Sequence, residues 1–430
     1  MSNSKKRYMN GTSKIGLAIG AGLLGAMVAF SAPAAADEIS DLQAENDALR
    51  SQVEGLARDL QKVRDAVQQN QQAVADVKAS SEGGNSIVRS GRKDTSLSIS
   101  GQGNRMAFYA DDGDQARWFH ADNDKSSTRL RLVGKSALDG QWSAGTNIEV
   151  QFESNSTGDV TIRQNTAVAA SNSFTERKLE LWFANAQLGK LTLGQGPTAS
   201  DGSVEEDLSG TTVITNASFA DVGSALAFRL SGTAGTSSGV TVGGLFSSQD
   251  GLSRDDRLRY DSPTLGGAKL STSWVDGDEW DVALRYGREF NDYEVALAAA
   301  HWDASPTAQK TGYGLSASVK APFGTSLTGS YSSEDLEATG REDEEYWQAK
   351  LGHAFSVVDI GGSAVSITYA QTDNAGATNR EGTYVGLAAV QNVSKVGAEI
   401  YALFGQFDAD LPGVVTEDIT VGGFGARVKF

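Results

Sequence analysis

The first hydrophobic pattern in the chain recurs in steps of three and four residues. Between Asp37 and Lys78, the a and d positions of six heptads follow without a slip, and all but Asn46 and Asn70 are apolar. So narrow a stripe is typical of a coiled coil, because a helix packed on a globular domain shows a wider apolar face. The pattern predicts an α-helical coiled coil over 37–78, roughly 60 Å long.

The oligomeric state of this coiled coil stays open. Its first half combines β-branched a residues with Leu at d, which favours a dimer, whereas its second half has Val at both positions, which favours a trimer. Asn46 at an a position and Asn70 at a d position are predicted to set the register, because buried polar residues specify alignment at a cost in stability.

From Thr95 to Phe430 the pattern changes to alternation. The segment "TRLRLVGK" places Leu130 and Leu132 on one face and Arg129 and Arg131 on the other, which is the period of a β-strand. Similar runs of about ten residues follow to the end of the chain. We count between sixteen and eighteen strands.

The connections between these runs have two lengths. Short ones such as "REFNDY" alternate with long acidic ones such as "SSEDLEATGREDEEY", a pattern typical of outer-membrane barrels. Lipid offers the backbone no hydrogen-bond partners, so strands cross it only as a closed sheet. We predict an all-β, antiparallel transmembrane β-barrel over 95–430 with 16 strands. The alternative is 18 strands, because "SALAFRLSG" and "GVTVGGLFSS" also alternate.

A secreted β-sandwich would show the same alternation. Its inner faces must fill a core about 10 Å thick, and apolar faces as rich in Ala and Gly as these would fill it poorly. The closing segment "GGFGARVKF" also fits the barrel, since it places Phe430 at the outward end of the last strand, where aromatic side chains meet the membrane interface.

The N-terminus predicts export. Three cations at 5–7 precede an apolar run over 15–30 and the small-residue segment "SAPAAADE", the pattern of a signal peptide over 1–36. The mature chain would begin at Asp37, or at Ala36 if cleavage falls one residue earlier. A retained anchor would need about 20 apolar residues. The Ser- and Gly-rich segment 79–94 is interpreted as a linker.

Charge and composition exclude several classes of function. The net charge of −17 includes four cations of the signal, so the mature chain carries −21, which argues against nucleic acid as a partner. The chain has no Cys, and His120, His301 and His353 lack metal-ligand spacing. No nucleophile elbow or phosphate loop is present. We expect no enzyme activity, no metal and no cofactor.

Several segments carry a family resemblance: "SSTRLRLVGKSALDGQWSAGTNIEVQFE", "ERKLELWFANAQLGKLTLGQG" and "DRLRYDSPTLGGAKLSTSW", together with the terminal Phe430. The chain resembles the Gram-negative general porins over 95–430. The resemblance implies a trimeric outer-membrane porin, a passive aqueous channel for small hydrophilic solutes or ions, with Phe430 as its assembly signal. It also implies that the third long loop folds into the barrel and narrows it.

That loop begins at residue 197 and is acidic. We predict a constriction between its acids and lumen-facing arginines, since opposed rows of charge set a transverse field. The predicted acids are Asp201, Glu205, Glu206 and Asp207. The predicted basic ladder is Arg129, Arg131, Arg229, Arg257, Arg259 and Arg285. The alternative is a solvated extracellular loop, and net charge does not decide ion selectivity.

An even number of strands puts both ends of a barrel on the periplasmic side. The coiled coil is therefore expected in the periplasm, where trimers of barrel and coiled coil would reinforce each other. A second hypothesis is a tether in which the coiled coil reaches peptidoglycan and the barrel anchors it in the membrane. The start "ADEIS" resembles N-termini by which some alphaproteobacterial barrels are attached to the cell wall.

Overall fold

The computed structural model describes residues 86–89, 95–163, 174–338 and 340–430. The predicted signal peptide, the coiled coil with Asn46 and Asn70, and most of the linker lie outside these residues. Within the linker range, Ser86–Arg89 forms a short strand that pairs with the start of the first barrel strand. No helix in the described part of the chain is long and apolar enough to cross a bilayer.

Sixteen antiparallel strands form a closed ring, which confirms the predicted barrel. Each strand pairs with its neighbours in chain order, and the first also pairs with the last. The strands are β1 (Thr95–Asp111), β2 (Arg129–Asp139), β3 (Trp142–Phe152), β4 (Phe174–Asn185), β5 (Gly189–Pro197), β6 (Arg254–Asp261), β7 (Ala268–Val275), β8 (Trp280–Phe290), β9 (Tyr293–Asp303), β10 (Lys310–Lys320), β11 (Thr325–Leu336), β12 (Glu344–Val358), β13 (Gly361–Asp373), β14 (Glu381–Val393), β15 (Ala398–Asp410) and β16 (Ile419–Lys429).

The seam of the ring lies on β1. The N-terminal half of β1 pairs with β2. Its C-terminal half pairs with a short strand, Ala116–Asp122, that precedes β2 in the chain. On its other edge β1 pairs with β16. The last residue completes this seam, because Phe430 and Gly101 exchange two backbone hydrogen bonds of 2.9 and 3.0 Å. The Phe430 side chain is exposed, as the alternation predicts.

The outer surface of the ring is apolar. On β4, Leu179, Leu181 and Phe183 are exposed, whereas Glu180 and Trp182 between them are buried. A soluble sandwich would show the reverse, since its large apolar side chains would fill the core. Lipid on the outside and polar groups within account for this arrangement.

The 18-strand alternative is wrong. The two extra candidates overlap the strands Ala227–Leu230 and Ser237–Thr241, which pair with each other. The first of them also pairs with Thr416–Glu417, and the three form a separate sheet. They alternate because one face packs against apolar residues inside the barrel: Phe228 and Val240 are buried. Alternation reveals a half-buried strand and leaves open whether lipid or protein covers it.

The connection between β5 and β6, residues 198–253, folds inside the ring, and we call it the inner loop. It packs on the inward faces of β12 to β16 and β1 through an apolar core. Phe219 stacks on Tyr384 of β14 at 4.1 Å between ring centroids, and Phe246 meets Phe407 of β15 edge to face at 5.2 Å. The barrel interior is therefore partly filled next to β12 to β16 and β1.

Candidate pore constriction

The start of the inner loop is fastened to β7 and β8. The buried Asp281 accepts hydrogen bonds from the amides of Ala199 (3.2 Å) and Ser200 (2.8 Å) and from the Ser200 hydroxyl (2.6 Å). Arg285 donates to the carbonyl oxygens of Ala199 at 2.8 Å and Asp201 at 2.7 Å. Arg285, predicted as part of the basic ladder, thus also holds the loop backbone in place.

The middle of the inner loop is fastened by a buried ion pair. Lys350 Nζ on β12 lies 2.7 Å from Asp207 Oδ2, with side-chain exposures of 0% and 1%. The same ammonium donates to the carbonyl of Thr215 at 2.8 Å. Asp207 was predicted to face the pore, and the structure turns it toward the wall instead, because the lysine is its partner there.

The other three predicted acids stay partly exposed to water. Asp201 lies 3.9 Å from Arg254, and Glu205 lies 3.4 Å from Lys125. Burial raises the pKa of Asp201 and of Glu206. Burial acts in the same direction on Glu205, but the Lys125 ammonium and nearby hydrogen bonds outweigh it and lower the pKa of that carboxyl. Glu205 therefore keeps its negative charge to lower pH than a free carboxylate, whereas Asp201 and Glu206 are protonated more readily.

A second group of charges lies on β2 to β4, where three guanidinium groups surround one carboxylate. Glu149 on β3 lies 3.6 Å from Arg129, 2.5 Å from Arg131 and 3.0 Å from Arg177. Arg129 and Arg131 lie on the inner face of β2. The cluster as a whole carries a net charge of +2. In the described part of the chain, none of these three arginines has another carboxylate within 4.0 Å.

Arg177 was missed by the sequence reading. The outward positions of Leu179 and Leu181 place every second residue of β4 outside, which assigns Arg177 to the lipid face. A register shift in the β3–β4 pairing at Glu149 and Val150 turns Arg177 inward instead, as β-bulges do. The available signal was the parity break in "TERKLEL", since an arginine facing lipid would be costly.

Two further predicted arginines are occupied at the start of the inner loop. Arg257 is buried against Glu180 at 2.5 Å and donates to the carbonyl of Pro197 at 2.9 Å. Arg259 pairs with Asp261 at 2.7 Å and donates to the carbonyl of Thr198 at 2.6 Å. Both lie on the inner face of β6, as predicted, with much of their hydrogen-bonding capacity already used.

Arg229 does not belong to the barrel wall. It lies on the strand Ala227–Leu230 of the inner loop and is buried against Asp112 at 2.7 Å. Its assignment to the basic ladder is wrong for the same reason as the 18-strand alternative. The described residues contain no group of His, Asp and Glu side chains placed to hold a metal ion.

The sequence profile of the Gram-negative porin family matches residues 24–411. This chain belongs to the Gram-negative porin family. The porin's fold is similar to that of the anion-selective porin from Comamonas acidovorans, at 16% identity over 78% of this chain and 100% of that chain, with a TM-score of 0.54. OmpF of Salmonella typhi in complex with daunomycin is also similar, at 12% identity over 80% of this chain and 100% of that chain, with a TM-score of 0.50.

OmpT, an outer membrane protein of Vibrio cholerae solved in a trimer form, matches at 15% identity over 79% of this chain and 100% of that chain, with a TM-score of 0.50. At these identities the structural matches show the fold. A comparison with curated proteins gave no match. Family membership and the closed barrel together make this porin a passive channel through the outer membrane.

Proposed function

We propose that the water-filled passage is narrowest between the acids of the inner loop and the arginine cluster around Glu149. The support is that Arg254 links the two groups inside the ring. It lies 3.9 Å from Asp201 of the inner loop, and its charge acts on Arg129 and Arg177 of the cluster. Opposed charges across a low-dielectric opening create a transverse field, which orients dipolar solutes and disfavours apolar ones.

We further propose a preference for anions. The observation that carries this is the cluster of Arg129, Arg131 and Arg177 on the single carboxylate of Glu149. Two positive charges remain uncompensated there, whereas Glu205 has a lysine partner of its own. Because permeating ions respond to the charge at the narrowest point, this local excess outweighs the net negative charge of the whole chain.

The oligomeric state and orientation belong to the same proposal. A homotrimer with the coiled coil in the periplasm agrees with the even strand number and with the trimer form of one structural relative. We propose that the protein acts as a channel and not as an enzyme. Attachment to peptidoglycan stays a prediction from the sequence, because the segment concerned lies outside the described residues.

The test is the reversal potential of the reconstituted channel in a salt gradient. The unaltered porin should favour chloride, and Arg131→Gln with Arg177→Gln should lower the anion-to-cation permeability ratio by roughly tenfold. Glu205→Gln with Glu206→Gln should raise it. Lys395→Gln, in the short turn between β14 and β15, removes a cation away from the passage and serves as the control.

Two results would contradict this proposal. The first is the absence of conductance steps in a bilayer that contains the folded barrel. The second is a reversal potential that changes no more in the arginine or glutamate variants than in Lys395→Gln. Either result would remove these residues from the path of the ions.

A further inference from the structure

A cavity of about 590 Å³ lies on the inner face of β3 to β7. Its lining includes Gln141 and Ser262, from the short turns that follow β2 and β6, and reaches Pro197 at the start of the inner loop. The cavity therefore occupies the short-turn half of the passage. A solute that has passed the constriction on its way to the periplasm would meet it next.

The lining of this cavity is basic beyond what its own acids neutralise. Two of its five cations have full carboxylate partners, Arg257 with Glu180 at 2.5 Å and Arg259 with Asp261 at 2.7 Å. Lys269 lies 3.9 Å from the same Asp261 and shares it. With these two carboxylates counted, the lining carries a net charge of +3.

Lys178 on β4 and Lys190 on β5 account for most of this excess. In the described part of the chain, neither ammonium has a carboxylate within 4.0 Å. Lys190 Nζ lies 5.5 Å from the ring centroid of Trp182, close enough for a cation–π contact. Gly145 makes room for this ring, because a Cβ there would lie 2.3 Å from Trp182 Cζ2.

A second observation points to a ligand. Thr192 on β5 lines the cavity and is 2% exposed, and its Oγ1 has no hydrogen-bond partner among the described residues. A buried hydroxyl is rarely left without a partner in a native protein. A hydroxyl donor that lines the same cavity as two ammonium groups is a combination that an oxygen-bearing anion would satisfy.

We propose that this cavity is a binding site for small oxyanions of charge −2, such as inorganic phosphate. This inference rests on the proposed anion-preferring channel and names the class of solute that it favours. A dianion gains about twice the Coulomb attraction of chloride from the same three charges. Its several oxygens accept from Lys178, Lys190 and Thr192 together, which a spherical monovalent ion cannot do.

The test measures chloride conductance of single channels while phosphate is added on the short-turn side at about pH 8, where phosphate is mostly dianionic. Phosphate should lower the chloride current along a saturating curve, and nitrate, a monovalent oxyanion, should not. Lys178→Gln and Lys190→Gln should each raise the half-effect concentration about tenfold. Thr192→Val should raise it about threefold.

Lys320→Gln is the matched control. Lys320 lies at the same end of the barrel on β10, outside the cavity, and pairs with Glu294 at 2.7 Å. The site is refuted if phosphate and nitrate act alike, if the phosphate effect does not saturate, or if Lys320→Gln shifts the curve as far as Lys190→Gln. The chloride conductance itself reports the channel, so a conducting porin without a phosphate effect overturns only the site.

Discussion

The buried pair of Lys350 and Asp207 offers the sharpest test of how the inner loop is held. Lys350→Met leaves a carboxylate buried without its partner, which costs about 3–5 kcal/mol in comparable pairs. Residues 203–211 otherwise hold to the wall by five hydrogen bonds to Ser316, Ser318, Ser330 and Ser366. At about 1 kcal/mol each, these contribute roughly as much as the variant removes.

In Lys350→Met, the free energy that holds residues 203–211 against the wall should therefore be close to zero. A loss of about 3 kcal/mol multiplies the undocked population by roughly 100. The expected result is frequent switching of single-channel current between levels, measured in planar bilayers. The double variant Lys350→Met with Asp207→Leu should restore quiet steps, because neither charge is then buried.

The control is Lys310→Met, which breaks a partly exposed pair with Glu334 at 2.9 Å that does not involve the inner loop. Retention of the folded form in unheated gels would show that the barrel itself is intact. Conductance of Lys350→Met as quiet as that of the unaltered porin would show that this ion pair does not hold the inner loop. More frequent switching in the double variant than in the single one would show the same.

Two further predictions concern pH and the seam. Burial raises the pKa of Asp221 in the inner loop to about 6 despite Lys125 nearby. Its negative charge is therefore lost as pH falls through that value, and reversal potentials should show a stronger anion preference at about pH 5 than at about pH 8. Asp221→Asn should reduce this shift. Gly101→Ala would place a Cβ 2.6 Å from the Phe430 ring and should lower the yield of heat-resistant barrel. Gly103→Ala should not, because a Cβ there would have no neighbouring atom within 4 Å. Equal yields of the two variants would contradict a role for the contact between Gly101 and Phe430.

The alternation of side chains determined the parts of this protein that depend on one face meeting lipid. The strand positions, the closed antiparallel ring, the outward Phe430 and the inward Arg129 and Arg131 all follow from a period of two. Each of these features depends on whether a side chain lies in lipid or in water, and that is a property of the local sequence.

The tertiary structure decided what each inward residue touches. Asp207 and Lys350 are 143 residues apart, and no local pattern indicates that they meet. Parity likewise could not show that Arg257 would pair with Glu180, or that a bulge would turn Arg177 to the inner face. The strands within the inner loop were indistinguishable from wall strands, because an apolar face packed on protein and one packed on lipid have the same period. Alternation records which side of a strand is dry; which partner keeps it dry is set by contacts between distant residues after the ring has closed.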